Sequence, residues 1–225
     1  MSHTVHPYSH RLGILRDWKS RWFISRLKTP QYRANLKGDV LLREYLEKTL
    51  RPYLVDSIEI ERGENAMRVI IKTARPGMII GRSGEGSGKV KDAIIKFLTR
   101  QKVEIPRDVR LSIEEVRSPE SHAGVVAHMI EEAIEKRTTF RRTMKQAIEK
   151  VMANKDVLGV KLTLSGRLDA AEMGRTESLK KGRLPLQTLR ADVDYAQGRA
   201  HMPYGDIGIK VWIYRGEIFS AKNKS

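Results

Sequence analysis

Arg82 and Ser83, bracketed by Gly81 and Gly84, are the residues of this 225-residue chain whose types and spacing best suit a phosphate. Two glycines three apart let the backbone turn sharply and bare its amide N–H groups, with no Cβ in the way. Arg82 adds a cation between them. A helix starting just beyond would aim its positive end at the same spot, as helix N-termini do toward anions. Two other glycine-dependent phosphate sites fail on spacing. A P-loop needs a glycine five residues before Gly88 and a Ser or Thr after Lys89, where this chain has Ser83 and Val90. A dinucleotide-binding turn needs G-x-G-x-x-G, and Gly84-Glu85-Gly86-Ser87-Gly88 is out of register.

A second constellation lies on a helix-patterned stretch downstream. At 100° per residue, Phe140, Met144, Ala147 and Val151 share one face, and Arg141, Arg142 and Lys145 take the other. Burying the apolar stripe turns the three cations outward together. Lys136 and Arg137 add charge just upstream, while Glu149 offsets part of it one turn after Lys145. A solvated basic face is the ordinary reading of such a pattern; a phosphate-suited loop in the same chain makes an RNA contact its equal. Other candidates carry less. His3, His6 and His10 have ligand-like spacing, but Pro7 and the lack of acidic or thiolate partners speak against a metal. Asp192 and Asp194 project to one side of a strand without a nucleophile or base nearby. Arg190 is the expected companion, which makes them an ion-pair network. No catalytic residue, metal or cofactor is expected.

Composition narrows the partner. The chain has 43 Lys+Arg against 27 Asp+Glu, a formal charge of +16. The polyanions that match that excess are nucleic acid and acidic membrane surfaces. No apolar run reaches membrane-spanning length, and the N-terminus lacks the apolar core of a signal peptide. The chain has no cysteine, which removes disulfides, thiolate metal sites and cysteine nucleophiles. An intracellular basic protein is expected. Aromatic residues make up only 6%, so phosphate and shape should count for more than base stacking.

These candidates need elements to hold them. Residues 1–38 show no sustained period and read as an extended arm carrying Trp18, Trp22 and Phe23. From Asp39, read as an N-cap, Leu42, Tyr45 and Leu46 mark a helix ended by Pro52. Ile58 and Ile60 begin a strand, and Met67, Val69 and Ile71 alternate along the next. Pro76 can open a short helix as its first residue. Val90, Ala93, Ile94, Phe97 and Leu98 recur at helical spacing, with Gly86 and Gly88 weakening that helix's first turn. Val109, Leu111 and Ile113 alternate again. Strand, short helix, G-x-x-G loop with a cation, long helix: this resembles the KH module, which clamps single-stranded nucleic-acid backbone. The order αββααβ is its type II form, placed at 39–118.

Ser118-Pro119 starts a second domain, 119–218. Its two helices, around Ala123–Ile134 and Phe140–Val151, precede strands at Val160–Leu164, Leu189–Tyr195 and Ile207–Ile213. The polar stretch from Met173 to Lys181 is a fourth strand, polar on its outer side. The fold class is α+β, a type II KH domain followed by two helices on a mostly antiparallel sheet. Residues 219–225 form a short basic tail.

Many separate segments together resemble the bacterial small-subunit ribosomal protein S3 family. They include Val5-His6-Pro7, Arg11-Leu12-Gly13, Trp18–Phe23, Thr73-Ala74-Arg75-Pro76-Gly77 and Ile80–Glu85. Phe140-Arg141-Arg142 with Met144-Lys145, Ser165-Gly166-Arg167-Leu168, Arg175-Thr176-Glu177, Leu189-Arg190-Ala191-Asp192 and Lys210-Val211-Trp212-Ile213 continue the match. The resemblance implies a non-enzymatic constituent of the small-subunit head. Its partners would be the 16S rRNA, mRNA, and the tenth and fourteenth small-subunit ribosomal proteins, with no membrane or small-molecule substrate. It also implies that Arg141, Arg142 and Lys145 line the mRNA entry channel and help to unwind message there. The chain departs from the family at Tyr8-Ser9-His10, at Gly86-Ser87-Gly88, where a looser loop exit is expected, and in its short tail. The rival reading is a free-standing KH regulator of transcripts, although such proteins often carry several KH repeats. A nuclease lacks any supporting cluster.

Overall fold

The computed structural model describes residues 5–24, 29–63, 65–101 and 108–219. In chain order the elements are α1 (Pro7–His10), β1 (Ser20–Arg21), α2 (Thr29–Thr49), β2 (Val55–Arg62), β3 (Ala66–Thr73), α3 (Pro76–Ile80), α4 (Glu85–Arg100) and β4 (Asp108–Glu115). They continue with α5 (Ala123–Glu135), α6 (Phe140–Ala153), β5 (Gly159–Gly166), β6 (Arg175–Gly182), β7 (Ala191–Met202) and β8 (Gly205–Glu217). Among the described residues, 18–117 form one compact unit, and 5–17 group with 118–219 in the other. None of the described helices is long and apolar enough to cross a membrane.

In the first unit the alternating residues of β2 and β3 put Ile58, Ile60, Met67, Val69 and Ile71 on one buried face. Leu42, Leu46 and Leu50 of α2 pack there with Ile94 and Leu98 of α4, and Tyr45 stacks on Phe97 at 4.4 Å. β2 and β3 are antiparallel, and β3 and β4 are parallel, with α3 and α4 forming the crossover between them. β1 adds a two-residue parallel edge through Ser20 and Arg21 opposite Ile60 and Glu61. α2, β2, β3, α3, α4 and β4 follow the type II KH order.

Two expectations for the N-terminal region are corrected. Residues 1–38 are not one extended arm, and Asp39 is not a helix cap. The helix starts ten residues earlier, at Thr29-Pro30, where a proline in the first turn costs no hydrogen bond. Its first half leaves Tyr32 and Leu36 largely exposed, so no buried stripe marks it in the sequence. Asp39 lies mid-helix and is 1% exposed. Its carboxylate accepts from the Trp22 indole N–H at 2.7 Å and from Arg62 Nε at 2.7 Å. A buried carboxylate is tolerable only when partnered in this way.

The second unit is a sheet of order β6-β5-β8-β7, all neighbours antiparallel. One face buries Val160, Leu162, Leu164, Ile207, Ile209, Val211 and Ile213 against Ile130, Ile134, Phe140, Met144 and Ile148 of the two helices. The polar segment expected as a strand is β6, an edge strand whose lysines guard its free side. The β7 edge is closed differently, by carboxylates of α5: Glu131 accepts from Arg199 N–H and Glu135 from His201 N–H. Asp194 accepts from Ala123 N–H at the start of α5 and pairs with Arg215, while Asp192 pairs with Arg16 at 2.6 Å. The expected ion-pair network is present, but Arg190 is not its cation; it pairs instead with Glu217. Residues 5–17 join this unit through Arg11, which is fully buried and donates to the carbonyls of Pro7, Leu186 and Thr188, each at 3.0 Å. Burial pushes its guanidinium below the usual arginine range, an effect that Asp192 opposes.

Replacing Asp39 with Ala strands a guanidinium that is 5% exposed. We expect a loss of about 3–5 kcal/mol, the usual cost of breaking a buried pair from one side, measured by urea unfolding. Asp39→Leu combined with Arg62→Met should cost less than either change alone, because no uncompensated charge remains.

Candidate nucleic-acid interface

The glycine loop forms where two short elements meet the start of a long helix. α3 begins with Pro76 and ends at Gly81, which has φ +70° and donates its N–H to Gly77 O at 3.0 Å. Arg82–Gly84 make one 3-10 turn, and Gly84 at φ +80° leads into α4. Both glycines occupy left-handed backbone that other residues adopt only with strain. The Gly81 amide is therefore engaged in closing α3 rather than bared for phosphate. What faces an anion is the exposed Arg82 and the start of the 16-residue α4. Glu85 in the first turn of α4 opposes that potential, and Lys89 lies 3.9 Å from it.

Gly86 does the opposite of loosening the loop exit. A Cβ there would lie 2.3 Å from Ile79 O and 2.8 Å from Ile80 O, so the bare backbone lets α4 press against the end of α3. Gly88 meets nothing within 4 Å. The two glycines look alike in sequence and differ in cause: one permits a close approach, the other only softens a helix.

In the second unit α6 is turned as its pattern requires. Phe140, Met144, Ile148 and Val151 are buried, and Arg141, Arg142 and Lys145 are exposed. The two arginines fall in the first turn of the helix, which holds no acidic residue. Cations are disfavoured there because the backbone dipoles already place positive charge at that end. Asp169, held at φ +52°, partly compensates by accepting from Phe140 N–H at 3.4 Å. Just upstream, Arg137 takes a left-handed position (φ +59°) at the end of α5, where glycine is the usual choice. Charge is thus concentrated here at the expense of local stability.

Arg175 of β6 belongs with these cations, and the sequence pattern of α6 did not reveal it. Its guanidinium lies 5.4 Å from the Phe140 ring centre, and that of Arg141 lies 5.5 Å from the same ring. Glu177 sits between them, 3.9 Å from Arg141 and 3.4 Å from Arg175. The register that sets Arg175 beside Gly166 is what delivers it, and no local periodicity encodes that pairing. Of the histidines, His6 uses Nδ1 to accept from Ser9 N–H at the start of α1, and His3 lies outside the described residues. So does the tail beyond Phe219.

Residues 41–121 match the KH domain model, and residues 130–213 match the model for the ribosomal protein S3 C-terminal domain. The small ribosomal subunit protein uS3 of Koribacter versatilis (strain Ellin345) is 44% identical over 224 residues, covering 100% of this chain and 95% of that protein. The chain belongs to the ribosomal protein S3 family. Its α6 cations lie in the part matched to the S3 C-terminal domain, and its glycine loop in the part matched to the KH domain.

The Gly86 geometry sets a paired test. Gly86→Ala should destabilise the protein, since backbone carbonyls cannot swing away as a side chain can. Gly88→Ala should stabilise it by up to about 1 kcal/mol through helix propensity alone. Thermal unfolding of the two variants gives shifts of opposite sign.

Proposed function

We propose that this chain is a non-enzymatic structural constituent of the small ribosomal subunit in the cytoplasm. There it binds the subunit's rRNA and meets incoming mRNA with the exposed face of α6. Membership of the S3 family supports the first part, since its relative is named for that subunit. The second part rests on one observation: Arg141 and Arg142 crowd a helix N-terminus that holds no acid in its first turn. A fold selected only for stability would put Asp or Glu there. Three cations on one face, reinforced by the helix dipole and flanked by Arg137 and Arg175, form a site for a flexible phosphate chain. Single-stranded message is such a chain. Holding the backbone at several points while the ribosome advances favours the open strand over the hairpin. The loop at Gly81, Arg82, Ser83 and Gly84 is a second RNA contact, resting on Arg82 and the start of α4.

Native protein should co-sediment with small subunits at one copy each through a high-salt wash. A free-standing KH regulator would wash off. For α6, three phosphate contacts on single-stranded RNA correspond to a log–log salt slope of about −2, at roughly −0.7 each. Arg141→Ala, Arg142→Ala and Lys145→Ala together should remove about that slope and leave folding stability within about 0.5 kcal/mol. Ribosomes carrying the triple variant should slow more on a message with a stable downstream hairpin than on an unstructured one. Equal slowing on both would assign these cations to rRNA binding or assembly.

A further inference from the structure

On the face of the second sheet turned away from α5 and α6, Ala191, Val193, Trp212 and Tyr214 form a small buried apolar cluster, and beside it lies a side-chain set that packing does not explain. Strand alternation places Lys161, Thr163 and Ser165 of β5 on it, beside Thr176, Ser178 and Lys180 of β6 and Lys210 of β8. Their neighbours in sequence, Val160, Leu162, Leu164 and Val211, are buried on the helix side, which fixes the direction of each. No acidic residue interrupts this stretch from Ser165 to Lys161. None of the three lysines has a carboxylate partner among the described residues, and Lys161 extends over the Trp212 ring at 5.1 Å.

Lys161 and Lys180 are direct cross-strand partners. Like charges in that position oppose strand pairing, and a Glu at either one would turn the repulsion into attraction. Carboxylates around this sheet serve its other parts instead: Asp194 of β7 and Glu131 and Glu135 of α5 accept from backbone N–H groups. A lysine pair held against its own repulsion on an otherwise hydroxyl-bearing surface calls for a polyanion.

We propose that this outer face of β6, β5 and β8 docks on the backbone of double-stranded RNA, without reading sequence. Charge decides for a polyanion, and the hydroxyls decide for RNA. Ser and Thr beside lysines suit 2′-hydroxyls and phosphates across the wide, shallow minor groove of an A-form helix. Stacking is not available, since Trp212 is buried and lies beneath Lys161. Base-splayed single strands therefore gain little here. The inference builds on the reading of the chain as an rRNA-binding protein but uses the opposite face of the sheet from α6, so the two can fail separately.

The test uses the full chain with a 20-base-pair RNA duplex and, in parallel, a 12-nucleotide oligouridylate. Changing Lys161, Lys180 and Lys210 together to Gln should weaken duplex binding at least tenfold in 0.1 M salt. The salt slope should fall by about 2.7, at roughly 0.9 per duplex phosphate contact. Binding of the oligouridylate should change less than twofold. The same three positions changed to Arg should retain duplex binding, which separates charge from folding. The Gln variant loses the Lys161 contact with the Trp212 ring along with the cross-strand repulsion, so its unfolding temperature should change little. Undiminished duplex binding by the Gln variant overturns the proposal and leaves an acidic protein surface as the occupant. Equal loss of both RNAs also overturns it. Loss on Arg141→Ala, Arg142→Ala and Lys145→Ala of oligouridylate binding alone would uphold the α6 reading whatever the sheet variants do.

Discussion

Asp39, accepting from both Trp22 and Arg62 in the interior of the KH unit, illustrates the constraint on which this molecule depends. With 27 acidic residues to 43 basic ones, carboxylates are the scarce component. The structure uses them where the backbone needs fixing. Asp39 ties α2 to β2 and to the segment holding Trp22. Asp194 starts α5, Glu131 and Glu135 close the β7 edge, and Asp192 holds Arg16. Because these acids face inward or bind backbone amides, fewer carboxylates are left for the surface. Some cations there are paired, as Arg190 is with Glu217, and others such as Lys161, Lys180 and Lys210 are in no ion pair among the described residues. Fold and surface potential come from one allocation of charge.

That allocation opposes stability at identifiable places. Arg141 and Arg142 work against the dipole of α6, Arg137 occupies backbone suited to glycine, and Lys161 faces Lys180 across two strands. Each conflict is local and modest, and the apolar cores beneath are continuous enough to carry it. All three conflicts lie in the second unit and all involve cations. Minimally frustrated sequences keep such conflicts for surfaces that do something else.

Much of the fold was legible because its signals are short-range. Alternation disclosed β2, β3, β4, β5 and β8, Pro76 marked α3, and the apolar stripe of α6 fixed which way its cations point. The strand β6 was legible only weakly, as both its faces are polar. Other features were hidden for physical reasons. The first half of α2 buries little, so it has no period to detect, and only Thr29-Pro30 announces it. Asp39 has the side chain of a cap, and only its distant partners show that it is a buried acceptor. Gly86 and Gly88 are identical as letters; the carbonyls of Ile79 and Ile80 distinguish them. Arg175 reaches the α6 cations through strand register. For Asp39 and Arg175 the missing information was a contact between residues far apart in sequence; for Gly86 it was the close packing of two consecutive helices.

The Arg11 clamp has a consequence in time. It binds carbonyls 175 and 177 residues further along the chain, and the whole KH unit is encoded between the two halves of the clamp. On a translating ribosome, residues 5–17 emerge well before residues 185–188 and must wait for them. At about 5–20 residues per second, that wait is on the order of ten to thirty seconds. The KH unit is made in full during that interval, while the second unit can close only after residues 185–188 have been added. A segment left bare for that interval, with a cationic side chain destined for full burial, is open to a chaperone or to premature capture by RNA.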